Sequence, residues 1–416
     1  MSTYLTAAAA AQRLGITRAT LYAYVSRGLV RSRSVSGRRE RQYLGEDVER
    51  LIQRASGRRD PARVATQALG VMGLPVLSSA LTLIDAGGLY YRGKDVLQLS
   101  QSERFEDVAG WLWGGAWQLD EPPYVPSPRQ RARLASLHFA RAGQCYLAEA
   151  EAQDPGAFHQ SVDAVRRSGA RILAGLGLLA AGASEAPHGI AVALARAWGL
   201  SGARAHAPLE AALILCADHE LNVSAFTARV IASAGATPYM AVSGALGALT
   251  GPRHGGLTAR VAALLDEVGD PTELLVERLR RGETVPGFGH PLYPDGDPRA
   301  ARLLELCPRN ASRARSLALA QAAERVLGER PVLDFGLVAL ARALGLPPAA
   351  PFVLFAVGRS AGWIAHCIEQ YPSAQLIRPR AEYVGPAPGR DSASVPGQLG
   401  AAGQKRHRQG PGRLVR

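Results

Sequence analysis

The chain has 416 residues, 47% of them apolar, with 48 Lys plus Arg against 35 Asp plus Glu and four cysteines. That length and apolar share describe a folded protein of two or more domains and exclude a disordered tail protein and a small disulfide scaffold. Cys145, Cys216, Cys307 and Cys367 stand singly in apolar or mixed runs with no CxxC pair, which reads as core thiols in a reducing cytoplasm and excludes a cysteine-ligated zinc. The uncharged apolar stretch Ile172 to Ala183 is shorter than the roughly 18–20 residues a membrane helix needs. No cationic start followed by a long apolar segment opens the chain, so the expectation is a protein neither secreted nor membrane-spanning.

The net charge of +13 sits at the two ends: residues 1–63 carry thirteen Arg and five acids, residues 385–416 six bases and one acid, and residues 64–384 hold 29 of each sign. The large middle therefore has no bias towards a polyanion.

In chain order, Leu5 opens the run LTAAAAAQRLGITRATLYAYVSRGLV, where Thr6 is placed to cap a short Ala-rich helix and Gly15 to close it. Thr17 then caps a second helix with Ala19, Leu21, Tyr22 and Val25 as its apolar stripe, ended at Gly28. Two short helices on a Gly-Ile turn make a helix-turn-helix. Leu29 to Leu44 alternates polar and apolar residues around Ser36-Gly37, and a helix over Val48 to Arg54 follows, which predicts a β-wing and a packing helix. Residues 5–54 resemble the winged helix-turn-helix of the mercury-resistance-regulator (MerR) class, through AAQRLGITRATLYAYVSRGLV, the wing GRRERQY and the following DVERL. The resemblance places Arg18, Tyr22, Tyr24 and Arg27 on or near the recognition helix and Arg38, Arg39 and Arg41 on the wing. A helix that fits the major groove, flanked by guanidinium groups that pair with phosphates, is what DNA binding requires. The same residues also suit a helical hairpin that only docks on the rest of the chain.

A small first domain, 1–54, is thus followed by an Arg- and Gly-containing linker, 55–63, and a main domain, 64–384, of Ala/Leu/Val-rich segments at helical spacing. The main domain reads as all-α. Residues 385–416 are Gly, Pro, Ala, Ser, Gln and Arg with almost no bulky apolar side chain, the composition of a disordered tail. Its cluster Lys405 to Arg408 suits either a solvated tail or contact with a polyanion.

Four segments of the main domain combine His, Asp or Arg with Gly in helix-breaking runs: Asp218 to Gly256, Val285 to Ala300, Leu333 to Gln370 and Leu376 to Gly385. Turns and helix ends are where such side chains converge on a pocket. His219, between Asp218 and Glu220, also reads as a helix-surface residue, and the glycines around His254 and His290 also suit plain turns. Asp297-Pro298-Arg299 reads as a helix start with an aspartate cap and Pro at the first helical position.

These segments, with Leu89-Tyr-Tyr-Arg-Gly-Lys and Phe105-Glu-Asp-Val-Ala upstream, resemble citrate synthase in order and over about 64–385. The resemblance implies a citrate synthase fold, a large helical domain plus a smaller mobile helical domain over about 258–360. It implies that Asp334 removes a proton from the acetyl-CoA methyl, that His254 stabilises the enol oxygen, and that His290 polarises the oxaloacetate carbonyl. His219, Arg299 and Arg359 would hold the substrate carboxylates, and Arg378 would reach the site of a neighbouring subunit, making the active unit a homodimer. A carbon acid this weak needs its carboxylate base in a dry site, and a dicarboxylate is oriented best by planar arginines. No metal and no redox cofactor is called for. The chain departs from the family at Pro291-Leu-Tyr-Pro294, where basic residues are usual, and at Val332, where an Asn is common. Two further readings stand beside citrate synthesis: 2-methylcitrate synthesis from propionyl-CoA, since one methylene discriminates poorly, and a metabolite-sensing DNA-binding regulator built on the same fold.

Overall fold

Local capping sets most element boundaries in the computed structural model, which describes residues 4–14, 21, 24–25, 30–34, 41–45, 47–48, 77–85, 87–185, 189–202, 205–379, 381 and 383–385. Two compact units result, 1–76 with 379–416, and 77–378. Arg18, Tyr22, Arg27, Arg38 and Arg39, the linker 55–63 and the tail after Gly385 lie outside the described residues.

In the first unit, the Thr6 hydroxyl accepts the Ala9 N–H at 3.2 Å and starts helix α1 (Ala7–Leu14). Strands β2 (Ser32–Ser34) and β3 (Arg41–Leu44) pair antiparallel as the two arms of the expected wing, with Ser32 opposite Tyr43. A third strand, β1 (Tyr4–Thr6), adds to the other edge of β3 with Leu5 opposite Tyr43; three residues are too few to show an alternation in sequence. Ala10, Ala11, Leu21, Val30, Tyr43 and Val48 form the core, and Tyr24 packs half-buried against it. The ring expected near DNA therefore contributes to packing, while Arg41 is exposed on the wing. Arg31 ties wing to helix: its backbone N and Nε each donate to Asp47 Oδ2 at 2.9 Å.

The second unit opens with a small antiparallel sheet, β4 (Thr82–Asp85), β5 (Gly88–Tyr91) and β6 (Lys94–Asp95), with Leu83 opposite Tyr90 and Tyr91 opposite Lys94. The sequence does not disclose this sheet, because strands of four residues or fewer leave little periodicity to read. Helices follow: α2 (Val96–Ser102), α3 (Phe105–Leu112), α4 (Pro128–Ala135), α5 (Phe139–Ala152), α6 (Val162–Ala181), α7 (Ile190–Ala197), α8 (Ala207–Cys216), α9 (Val223–Ser233) and α10 (Pro238–Leu249). Next come α11 (Leu257–Asp266), α12 (Pro271–Arg280), α13 (Pro298–Leu306), α14 (Ala311–Leu327), α15 (Leu333–Ala343) and α16 (Ala350–Gln370). Helices α11 to α15 pack mainly on one another, whereas α16 runs through the others, against α6, α8, α9 and α10.

Helix α16 is long and apolar enough to cross a membrane by composition, a length the sequence reading did not assign, and it is buried throughout by its neighbours. Its close approach to α8 depends on two glycines one turn apart. A Cβ on Gly358 would meet the Leu213 carbonyl oxygen at 2.7 Å, and one on Gly362 would overlap the Ala217 carbonyl oxygen and Asp218 Oδ1. Cys216, Cys307 and Cys367 are buried as expected, but Cys145 is exposed: it lies on the solvent side of α5, between the buried positions Gly143 and Tyr146. A Gly362→Ala protein is expected to lose about 1–3 kcal/mol of stability, the usual cost of overpacking a filled core, as a lower denaturation midpoint in urea.

Candidate active site

Where α8 ends, the chain turns sharply through Ala217 to Leu221, and Glu220 takes a positive φ of 52°, a conformation that costs a non-glycine residue free energy unless its surroundings enforce it. Those surroundings are polar and buried. The Tyr91 hydroxyl accepts the Asp218 N–H at 3.0 Å and lies 3.1 Å from the Ile214 carbonyl. The Asp218 carboxylate accepts from the Thr82 hydroxyl and faces His366 Nε2 at 3.2 Å, both groups fully buried. Burial opposes its charge, yet His366 and Arg359 hold Asp218 below the ordinary carboxylate range. His219, pinned by this turn, places Nε2 2.9 Å from the Tyr293 hydroxyl, and burial keeps its ring neutral, well below the usual imidazole range. The helix-surface alternative for His219 is thereby excluded.

Asn222 caps α9 by accepting the N–H groups of Ser224 and Ala225, each at 3.1 Å. That cap presents the Ser224 hydroxyl to three partners: Asn222 Oδ1 and His254 Nε2, both at 2.8 Å, and the indole N–H of Trp363, which donates to it at 3.1 Å. The one hydroxyl proton is shared between two acceptors, Asn222 Oδ1 and His254 Nε2; when it turns to His254 Nε2, the imidazole carries its own proton on Nδ1. Burial lowers His254 to about 4, so at neutral pH it is an uncharged donor. Its ring stands edge-on to Phe355, centroids 5.8 Å apart.

His290 is brought to the same place by a short antiparallel contact. Gly289 N donates to the Arg330 carbonyl and Val332 N to the Gly287 carbonyl, each at 3.0 Å; Gly287 and Gly289 have φ of 93° and 72°, which only glycine adopts without strain. His290 Nδ1 accepts the Leu292 N–H at 3.2 Å, leaving Nε2 to carry the ring proton. The rings of His219, His290 and Tyr293 form a triangle with centroids 5.3–5.6 Å apart. Asp297 caps α13 as read from the sequence, accepting the Arg299 N–H at 3.0 Å, and it also pairs with the buried Arg299 side chain through Nε at 2.9 Å and Nη2 at 2.8 Å.

Asp334 lies in the first turn of α15, and burial raises its pKa to about 7. Its Oδ1 has no hydrogen-bond partner among the described residues. Arg359 donates Nε to the Cys216 carbonyl at 2.6 Å and stacks 4.9 Å from Phe355; among the described residues no group bonds its Nη atoms. Both arginines lie close enough to Asp334 and His219 to act on their ionisation. The structure thus brings together His219, His254, His290, Arg299, Asp334 and Arg359. It does not bring Arg378, which is exposed after the last helix of this unit. No group of His, Cys, Asp and Glu suited to a metal ion occurs among the described residues.

The profile of the citrate synthase C-terminal domain matches residues 70–380. This chain belongs to the citrate synthase family. A helix-turn-helix domain profile matches residues 4–56. The citrate synthase of Haloferax volcanii is 32% identical over 360 residues, covering 76% of this chain and 95% of its own length. The 2-methylcitrate synthase 1 of Corynebacterium glutamicum is 30% identical over 343 residues, covering 72% and 90%. A crystal structure of citrate synthase from Thermotoga maritima MSB8 superposes with a TM-score of 0.65 at 27% identity, over 79% of this chain and 98% of that one.

Ser224, Asn222, Trp363, Tyr293 and Asp218 belong to the site but not to the sequence-level set of reacting residues. Tyr293 carries a signal in the sequence, since it lies between His290 and Arg299. Removing the Tyr293 hydroxyl leaves the buried His219 Nε2 without its partner, which costs about 1–3 kcal/mol. Tyr293→Phe is expected to weaken dicarboxylate binding roughly tenfold or more, read by calorimetric titration with oxaloacetate.

Proposed function

We propose that the protein condenses acetyl-CoA with oxaloacetate and water to give citrate and CoA. The observation that carries this reading is the buried, unpartnered carboxylate oxygen of Asp334 in a site that also holds a neutral donor and two buried guanidinium groups. Asp334 takes a proton from the acetyl methyl, and the C–H electrons move onto the thioester carbonyl oxygen, which the His254 N–H meets. The enol carbon then attacks the oxaloacetate ketone, whose oxygen His290 polarises through Nε2–H. Arg299, Arg359 and His219 hold the carboxylates, and water cleaves the thioester to release CoA. A neutral donor suits the enol because it stabilises developing charge without having to be deprotonated first. Arg378, exposed in one chain, reaches the site of a neighbouring copy in a homodimer. The residues present call for no metal or redox group.

The acyl chain has a second reading. The relationship to a 2-methylcitrate synthase supports propionyl-CoA as an alternative substrate, and one methylene is worth only roughly 1–3 kcal/mol of discrimination. Side-by-side kinetics with the two thioesters decide it.

The base must be ionised, and burial sets its pKa at about 7; protonation as pH falls through 7 removes it. The kcat/KM profile for oxaloacetate-dependent thiol release is therefore expected to have an acid limb near pH 7. Asp334→Asn is expected to lower turnover by roughly 10²–10⁴-fold, and wild-type turnover in that variant would sink the assignment.

The helix-turn-helix and the thirteen Arg against five acids of residues 1–63 support a second role in DNA binding, with metabolite occupancy of the larger unit as the signal. Binding to duplex DNA is then expected to weaken steeply with salt, and Arg41→Ala to reduce the salt slope by about 1. Absence of any salt-sensitive binding at low ionic strength would remove this role.

A further inference from the structure

We infer that Asp297 is a positioning residue that sets both where the helix of the base begins and how the charge of the site is balanced; this rests on the reading of Asp334 as the base.

One carboxylate makes four hydrogen bonds. Oδ1 accepts the Arg299 N–H at 3.0 Å and Nε at 2.9 Å; Oδ2 accepts Arg299 Nη2 at 2.8 Å and the backbone N–H of Leu333 at 3.0 Å. The last bond is the informative one. Helix α15 has Val332 at its N-cap and no side-chain cap of its own, so its first N–H is satisfied from another helix, and the residue after Leu333 is Asp334. Asp297 therefore caps α13 and α15 together and fixes the first turn that carries the base. A carboxylate at that turn also interacts favourably with the helix dipole.

The second consequence is electrostatic. Asp297 and Arg299 are each 3% exposed, so neither charge is screened by water. Asp297 neutralises the Nε and Nη2 edge of Arg299, and among the described residues no group bonds Nη1. The groups that feel the Asp297 charge are Arg299 on its own helix, Asp334 on α15, His290 and Tyr293 on the preceding loop, and Cys216 at the end of α8. Its negative charge raises the affinity of Asp334 for a proton, while Arg299 and Arg359 lower it. Removing that charge while keeping the side-chain shape leaves both guanidinium groups to act on Asp334 unopposed.

Asp297→Asn is the test, with Asp297→Asn/Val332→Asn as a second variant in which an asparagine N-cap gives α15 a local replacement for the lost cap. In both variants the acid limb of the kcat/KM profile is expected to move to lower pH by about one unit, and KM for oxaloacetate to change severalfold. The melting temperature is expected to fall in the single variant and to recover in the double one. An unmoved acid limb in the folded double variant would overturn the electrostatic part, and an unchanged melting temperature in the single variant would overturn the capping part. If wild-type protein turns over neither thioester, the failure lies with the Asp334 reading. The Asp297 inference is then read directly, by infrared titration of the Asp334 carboxyl band, identified by its loss in Asp334→Asn, with and without Asp297→Asn. A band midpoint that Asp297→Asn leaves in place would sink the inference independently of turnover.

Discussion

Holding charge out of water is the constraint on which this site depends. Arg299, Arg359, Asp218 and Asp297 are all at most 3% exposed, and a buried ion persists only when paired and hydrogen-bonded. Two guanidinium groups face two carboxylates, Asp297 directly and Asp218 across the turn that carries His219. Burial is the largest influence on Asp334 and raises its pKa to about 7, against the opposing pull of Arg299 and Arg359 and with the support of Asp297. Three histidines near so much positive charge stay neutral for the same reason. They act as hydrogen-bonding groups, each with one ring nitrogen committed to a partner: Tyr293, Ser224 or the Leu292 amide.

The fold supplies the convergence by bringing backbone close to backbone. Gly358 and Gly362 let α16 lie against the end of α8, so that Arg359 and His366 meet the carbonyl of Cys216 and the carboxylate of Asp218. Gly287 and Gly289 do the same for the segment Gly287–Gly289 against Arg330–Val332, which sets His290 beside the start of α15. Each close approach joins segments distant in sequence, and each lies within two turns of a reacting group.

How much of this the sequence discloses depends on whether a residue's role is local. The Asp297 cap, the helical character of residues 96–370 and the wing strands were legible, because capping, periodicity and turns act over a few residues. The convergence of His254, His290 and Asp334 was legible because the glycine-flanked segments around the two histidines and the apolar run around Asp334 follow the order found in the family. Ser224, Trp363, Thr82 and His366 were not: Ser224 meets His254 and Trp363, and Asp218 meets Thr82 and His366, partners up to 148 residues away. The cysteines show the same limit, since an apolar neighbourhood in sequence placed Cys216, Cys307 and Cys367 correctly but could not assign Cys145 to a helix face. Tyr24 packs half-buried against the small core, an aromatic ring being as useful to a core as to a groove.

The central place of α16 has a consequence for biosynthesis. It packs against α6, α8, α9 and α10, all of which leave the ribosome before it does, so their inner faces must wait for a segment made more than a hundred residues after α10 begins. Contacts of such long separation are slow to form. During that interval the waiting helices expose the surfaces that α16 will cover, and α16 itself emerges apolar enough to be mistaken for a membrane segment. The core of the larger unit thus closes late in synthesis, and nascent-chain chaperones have most to protect in the stretch between α10 and α16.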